Sequence, residues 1–154
     1  MTDINAIEIV GLEKRFGTTN ALDGIDLAVP AGLVFGFLGP NGAGKTTTLR
    51  ILTGLAFPSA GTARILGHDV TRAGNQLRSR IGYLPDVPGF YAWMTAQQFL
   101  HYVGRLCGLP RATIAERSNA LLEMAGLTSV HTTIGGFSRG MKQRLGIAQA
   151  LINA

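Results

Sequence analysis

Gly39-Pro40-Asn41-Gly42-Ala43-Gly44-Lys45-Thr46-Thr47 is the stretch that decides how the rest of the chain is read. It fits the spacing G-x-x-x-x-G-K-[ST], in which glycines let the backbone curl tightly enough to aim several N–H groups at one phosphate chain. Lys45 then reaches the outer phosphates as a point charge, and the Thr46 hydroxyl is placed for Mg²⁺. The flanking residues supply the context this spacing needs. Leu33-Val34-Phe35-Gly36-Phe37-Leu38 is a short apolar run suited to a buried strand, and apolar residues recur at helical spacing from Thr46 to Leu52. In a strand–loop–helix order, the loop N–H groups and the positive end of the helix dipole face the same anion. The plain alternative is a Gly-rich turn arising by accident in a chain with 21 glycines, and the flanking strand and helix argue against it.

The whole chain bounds what such a loop can serve. Its 154 residues suffice for one domain with a sizeable core. Apolar residues make up 46% and charged residues only 15%, so a buried sheet or a surface meant for a partner is expected. No apolar run is long enough to span a bilayer, and Met1-Thr2-Asp3-Ile4-Asn5 lacks the basic-then-apolar layout of a secretory signal. The net charge is +5, which raises nucleic acid as a partner. The basic residues are scattered, however: Arg64, Arg72, Arg78 and Arg80 in one region, and Arg105, Arg111 and Arg117 in another. Without a like-charge run or an interleaved aromatic stripe, a solvated surface is favoured over a nucleic-acid footprint. The single Cys107 excludes an internal disulfide, and its apolar helical neighbourhood predicts a buried structural thiol. His68, His101 and His131 are too far apart for zinc-ligand spacing.

Taken in order, Ile7-Glu8-Ile9-Val10 reads as a strand, and alternation from Leu22 to Val29 gives a second, turned by Pro30-Ala31-Gly32. The two predict an antiparallel ribbon ahead of the phosphate loop. Gly54 is placed as the C-cap of the first helix. A short strand is expected between Gly61 and Gly67, a short helix over 71–80, and a strand at Ile81-Gly82-Tyr83-Leu84 stopped by Pro85. Beyond Thr95 the period becomes helical. Thr95 caps a helix running to Cys107, with Phe99, Leu100, Tyr102, Val103 and Leu106 on its apolar side. A second helix over 111–125 buries Ile114, Leu121, Leu122 and Met124. Ser138 is the N-cap of a third, reaching to about Asn153, with Met141, Leu145, Ala148, Leu151 and Ile152 along one face.

These pieces, in this order, resemble the nucleotide-binding subunit of ATP-binding-cassette transporters. Residues 39–47 carry the loop sequence common in that family. Phe137-Ser138-Arg139-Gly140-Met141-Lys142-Gln143-Arg144-Leu145 resembles a variant of the family signature L-S-G-G-Q, of the kind found in exporters of the multidrug or ABC-2 type. The resemblance covers essentially the whole chain. It implies an α/β fold: a P-loop NTPase core with an N-terminal antiparallel β ribbon and an inserted helical subdomain. Residues 1–86 then form the β subdomain and P-loop core, 87–135 the helical subdomain, and 136–154 the signature loop and helix.

The implied ligands are ATP and Mg²⁺, held by Gly39, Pro40, Asn41, Gly42, Ala43, Gly44, Lys45, Thr46 and Thr47. Phe16 stands where the family stacks an aromatic ring on adenine, although a core Phe at a strand end would look the same. Asp86 stands where the family usually has Gln, at the residue that touches Mg²⁺ and the attacking water. As Asp it is charged and one methylene shorter than Glu. Ser138, Arg139, Gly140 and Met141 would close over ATP bound to a second ATPase subunit, with Arg139 in place of the usual Gly. Tyr91, Trp93 and Met94 lie in the part that docks on a transmembrane subunit, and core packing explains them equally well. The implied location is cytoplasmic, peripheral on the inner face of the cell membrane through that partner.

Hydrolysis in the family also needs an acidic pair ending an apolar strand after the signature helix. The nine acidic residues here are Asp3, Glu8, Glu13, Asp23, Asp26, Asp69, Asp86, Glu116 and Glu123, and none follows such a run. The expectation is a chain truncated after the signature helix, lacking the C-terminal part of the core, with an exposed sheet edge and no turnover of its own. A soluble cassette ATPase acting on nucleic acid or ribosomes, and a non-catalytic nucleotide-binding remnant, are the alternatives.

Overall fold

The computed structural model describes residues 5–74, 77 and 79–153. The chain divides into two compact units, Met1–Arg78 and Ser79–Ala154.

The first unit is built on a hairpin of β1 (Asn5–Phe16) and β2 (Thr19–Pro30), paired antiparallel from Asn5 opposite Pro30 to Phe16 opposite Thr19. On its other edge β1 pairs antiparallel with β3 (Ala60–Ile65), which pairs with the two-residue β4 (His68–Asp69), giving the order β2-β1-β3-β4. Ile9 and Leu12 of β1, Leu22 and Val29 of β2 and Ala63 of β3 are buried, the register shift between Ile9 and Leu12 letting residues three apart both turn inward. Helix α1 (Lys45–Leu52) buries Thr48, Ile51 and Leu52 and leaves Leu49 outside. Gly54, at φ 69°, stands just past the end of α1 in the left-handed conformation, as a C-terminal cap requires.

The second unit is helical. Thr95 starts α2 (Ala96–Leu106) with a full capping box: its hydroxyl accepts from the Gln98 N–H, and the Gln98 side chain accepts from the Thr95 N–H. Helix α3 (Arg111–Met124) ends at Gly126, and a 3₁₀ turn (Ile134–Gly136) leads to α4 (Arg139–Leu151). Phe99, Leu100, Leu122, Leu127, Ile134, Phe137 and Leu145 form one contiguous core, each side chain contributing about 1.5–3 kcal/mol of burial. Two arginines serve structure here: Arg144 donates to Ala125 O at 2.6 Å and Arg117 to Ile152 O at 3.1 Å, both near helix C-termini where cations belong.

Three sequence expectations are corrected. Residues 33–38 pair with no strand among the described residues, and Leu33, Val34, Phe35 and Leu38 are exposed. Residues 81–84 are not a strand either. They lie along α4, where a Cβ on Gly82 would strike the Ala150 carbonyl and a Cβ on Gly146 would touch Leu84. The physical reason is shared: a parallel strand takes every ladder bond from neighbours far away in sequence, and an apolar run specifies burial without specifying the neighbour. Third, Leu106, Met124 and Cys107, expected inside, are exposed: each lies at the C-terminal end of its helix, beyond the residues that pack on the core. The expected helix over 71–80 includes residues 75, 76 and 78, which lie outside the described residues.

Candidate functional site

In the first unit the phosphate loop closes on itself before α1 begins. Ala43 N–H donates to Pro40 O at 3.3 Å, and Gly42 and Gly44 take φ of 84° and 83°, a region side chains rarely enter. Gly44 is doubly constrained. A Cβ there would run into Leu22 Cδ2 and stand 2.8 Å from Ala21 O, so the loop lies directly on the start of β2. Thr48 fastens the turn below, its hydroxyl donating to Gly44 O at 3.0 Å and its N–H at 2.8 Å. Lys45 folds its amine back across the loop, donating to both Gly39 O and Pro40 O at 2.6 Å. The first-turn N–H groups of α1 are those a helix cannot satisfy internally, and they open on the same side as the loop. Thr46, in that turn, is exposed. The glycine backbone and the Lys45 ammonium therefore lie together at the start of α1, next in sequence to the exposed Thr46.

Phe16 is exposed at the far end of β1, opposite Thr19, with Lys14 Nζ 4.9 Å from its ring centroid. Because Gly44 rests on Ala21 and Leu22, two to three residues along from Thr19, the ribbon end carrying Phe16 adjoins the phosphate loop. The ring is outside the core.

In the second unit Ser138 is the N-cap of α4, its hydroxyl accepting from Met141 N–H at 3.3 Å. Phe137 anchors the turn in the core and Met141 packs half-buried against it, while Ser138, Arg139 and Gly140 are exposed. A Cβ on Gly140 would meet nothing within 4 Å. Asp86 is exposed in a bend, with no hydrogen bond or ion pair among the described residues. Thr46 and Asp86, the two candidate Mg²⁺ ligands, belong to different units. Among the described residues no group of three or more His, Cys, Asp or Glu could hold a metal ion. Of the three residues named for docking, Tyr91 and Trp93 are exposed, with ring centroids 6.0 Å apart, and Met94 is buried in the core. Partial burial pushes the Cys107 thiol up from its ordinary value, so an exposed cysteine here carries little thiolate. Sequence reasoning missed the basic pocket formed by His101, Arg105, Arg111 and Ile114, because its members come from two helices and match no motif.

Comparison with known proteins agrees with this geometry. The sequence pattern of the family described as ABC transporter matches residues 22–154. An uncharacterized ABC transporter ATP-binding protein, YxlF of Bacillus subtilis, is 45% identical over 148 residues, covering 96% of this chain and 48% of its own. The Nod factor export ATP-binding protein I of Ralstonia nicotianae is 40% identical over 148 residues, covering 96% and 46%. A solved ATP-binding subunit of an ABC transporter superposes with a TM-score of 0.83 at 28% identity, covering 96% of this chain and 62% of that one. The chain thus spans about half the length of the curated relatives it matches. With a P-loop NTPase fold, a phosphate loop opening α1 and a signature turn opening α4, the chain belongs to the ABC transporter ATP-binding family.

Proposed function

We propose that this chain binds Mg²⁺-ATP on residues 39–47, as part of the subunit that powers a membrane exporter. One observation carries the reading: a loop with two left-handed glycines and a lysine amine drawn across its mouth. On binding, Lys45 would exchange two neutral carbonyl acceptors for anionic β- and γ-phosphate oxygens, adding ion-pair attraction to hydrogen bonds that are already charge-assisted on the donor side. The α1 N-terminus meets the same phosphates, and Phe16 offers an exposed face to the purine. Mg²⁺, when bound, would neutralise phosphate charge, and the Thr46 hydroxyl is the side chain that would hold it.

Export is supported by relatives whose names state it, and a transmembrane subunit by the exposed Val87, Tyr91 and Trp93 ahead of α2. The exposed Ser138, Arg139 and Gly140 would close over nucleotide held by a second ATPase subunit, the α4 N-terminus facing its γ-phosphate. Asp86 would contact the metal and the attacking water. Membrane attachment follows from the partner, since no helix among the described residues is long and apolar enough to cross a bilayer.

Calorimetric titration with Mg²⁺-ATP tests the site. Lys45→Ala is expected to weaken binding by about 10- to 100-fold, the worth of a charge-assisted hydrogen-bond pair. Equal affinity in the variant removes the assignment.

A further inference from the structure

We propose that the pocket between α2 and α3, bounded by His101, Arg105, Arg111 and Ile114, binds a phosphate group, carried by a soluble phosphate or by a lipid headgroup. His101 and Arg105 are four residues apart on α2 and so share a face, while Arg111 opens α3 across from them. Ile114, one turn along, is buried and gives the pocket an apolar wall. The volume is about 250 Å³, in a depression open to solvent. That lies below the roughly 300–1,000 Å³ of sites for drug-sized ligands, so a small group fits rather than a whole nucleotide.

Two features ask for an anion, and a buried imidazole nitrogen beside the pocket has no partner of its own. Among the described residues neither guanidinium has an ion-pair partner, and Glu116 and Glu123, the acids of α3, do not line the pocket. Two forked cations beside one cavity suit a phosphate, whose oxygens accept from both. His101 Nε2 is buried with no hydrogen-bond partner. Finally, the N-cap of α3 is Pro110, which offers no side-chain acceptor, so the first-turn N–H groups of α3 are left for an external anion. The site lies wholly in the second unit and is separate from the phosphate loop of the first.

Lys45→Ala protein, in which the phosphate loop is disabled, is titrated with inorganic phosphate while the His101 ring signals are followed by NMR. Saturable shifts are expected, weakened about tenfold by Arg105→Gln or Arg111→Gln. A control pair, Arg64→Gln with Arg72→Gln, removes as much charge elsewhere and is expected to change nothing. Arg105→Lys keeps the charge without the fork and falls between, which separates phosphate recognition from loss of fold. In parallel, the protein is sedimented with phosphatidylcholine vesicles with and without phosphatidic acid. Arginine-dependent saturation by inorganic phosphate assigns the site to soluble phosphates. Sedimentation that needs phosphatidic acid and both arginines, without such saturation, assigns it to a headgroup. Neither response, or one that the control pair reduces equally, overturns the proposal.

Discussion

Gly44 and Gly140 each stand at the start of a helix, α1 and α4, yet a methyl group would meet very different surroundings at the two. At Gly44 it would collide with Leu22 and crowd the Ala21 carbonyl, on a backbone already at φ 83°. At Gly140 it would enter open space on ordinary helical backbone. The first glycine is demanded by the chain's own fold, because the phosphate loop must lie flat on β2. The second is not demanded by anything in its own unit. A glycine the fold does not need is explained by something outside the fold, and the proposed nucleotide of a second subunit is such a neighbour.

Stability measurements can break or sharpen that contrast. The largest effect is expected from Gly44→Ala, which combines a left-handed Cβ with overpacking and should cost about 2–4 kcal/mol in urea unfolding, with loss of ATP binding. Ser138→Ala removes the α4 N-cap and should cost about 1 kcal/mol. Gly140→Ala should leave stability unchanged or raise it by less than about 1 kcal/mol, because alanine is the better helix former and has room. A Gly140→Ala protein as unstable as Gly44→Ala would mean that the signature glycine is structural after all. If Gly140→Ala is stable, its effect belongs in ATP-dependent self-association, which should weaken.

Much of the helical unit was legible from sequence because its information is local. Thr95 and Ser138 announced their helices through caps, and the 3.6-residue spacing of Phe99, Leu100 and Val103 named the buried face of α2. The ribbon was legible for the same reason, through period-two alternation in β1 and β2. Residues 33–38 failed for the opposite reason. Their apolar run declares an appetite for burial, while the partner that satisfies it lies elsewhere in sequence and leaves no local trace. The site followed the same division. Gly39 to Thr47, the proposed cradle, could be picked out because the pattern is one short contiguous stretch, and the structure gives it left-handed glycines and a lysine folded onto its own loop. The placement of Phe16 beside that loop came from ladder register, which its own sequence neighbourhood does not encode. The pocket of His101, Arg105 and Arg111 was invisible because it exists only once two helices are packed.

The most direct measurement is the backbone amide spectrum of residues 39–48 during titration with Mg²⁺-ATP. The largest saturable shifts are expected at Gly42, Gly44, Lys45 and Thr46, whose N–H groups would exchange solvent for phosphate oxygens, with the same titration of Lys45→Ala flattened. Saturable shifts centred elsewhere, with these four amides unmoved, would contradict nucleotide binding at the loop.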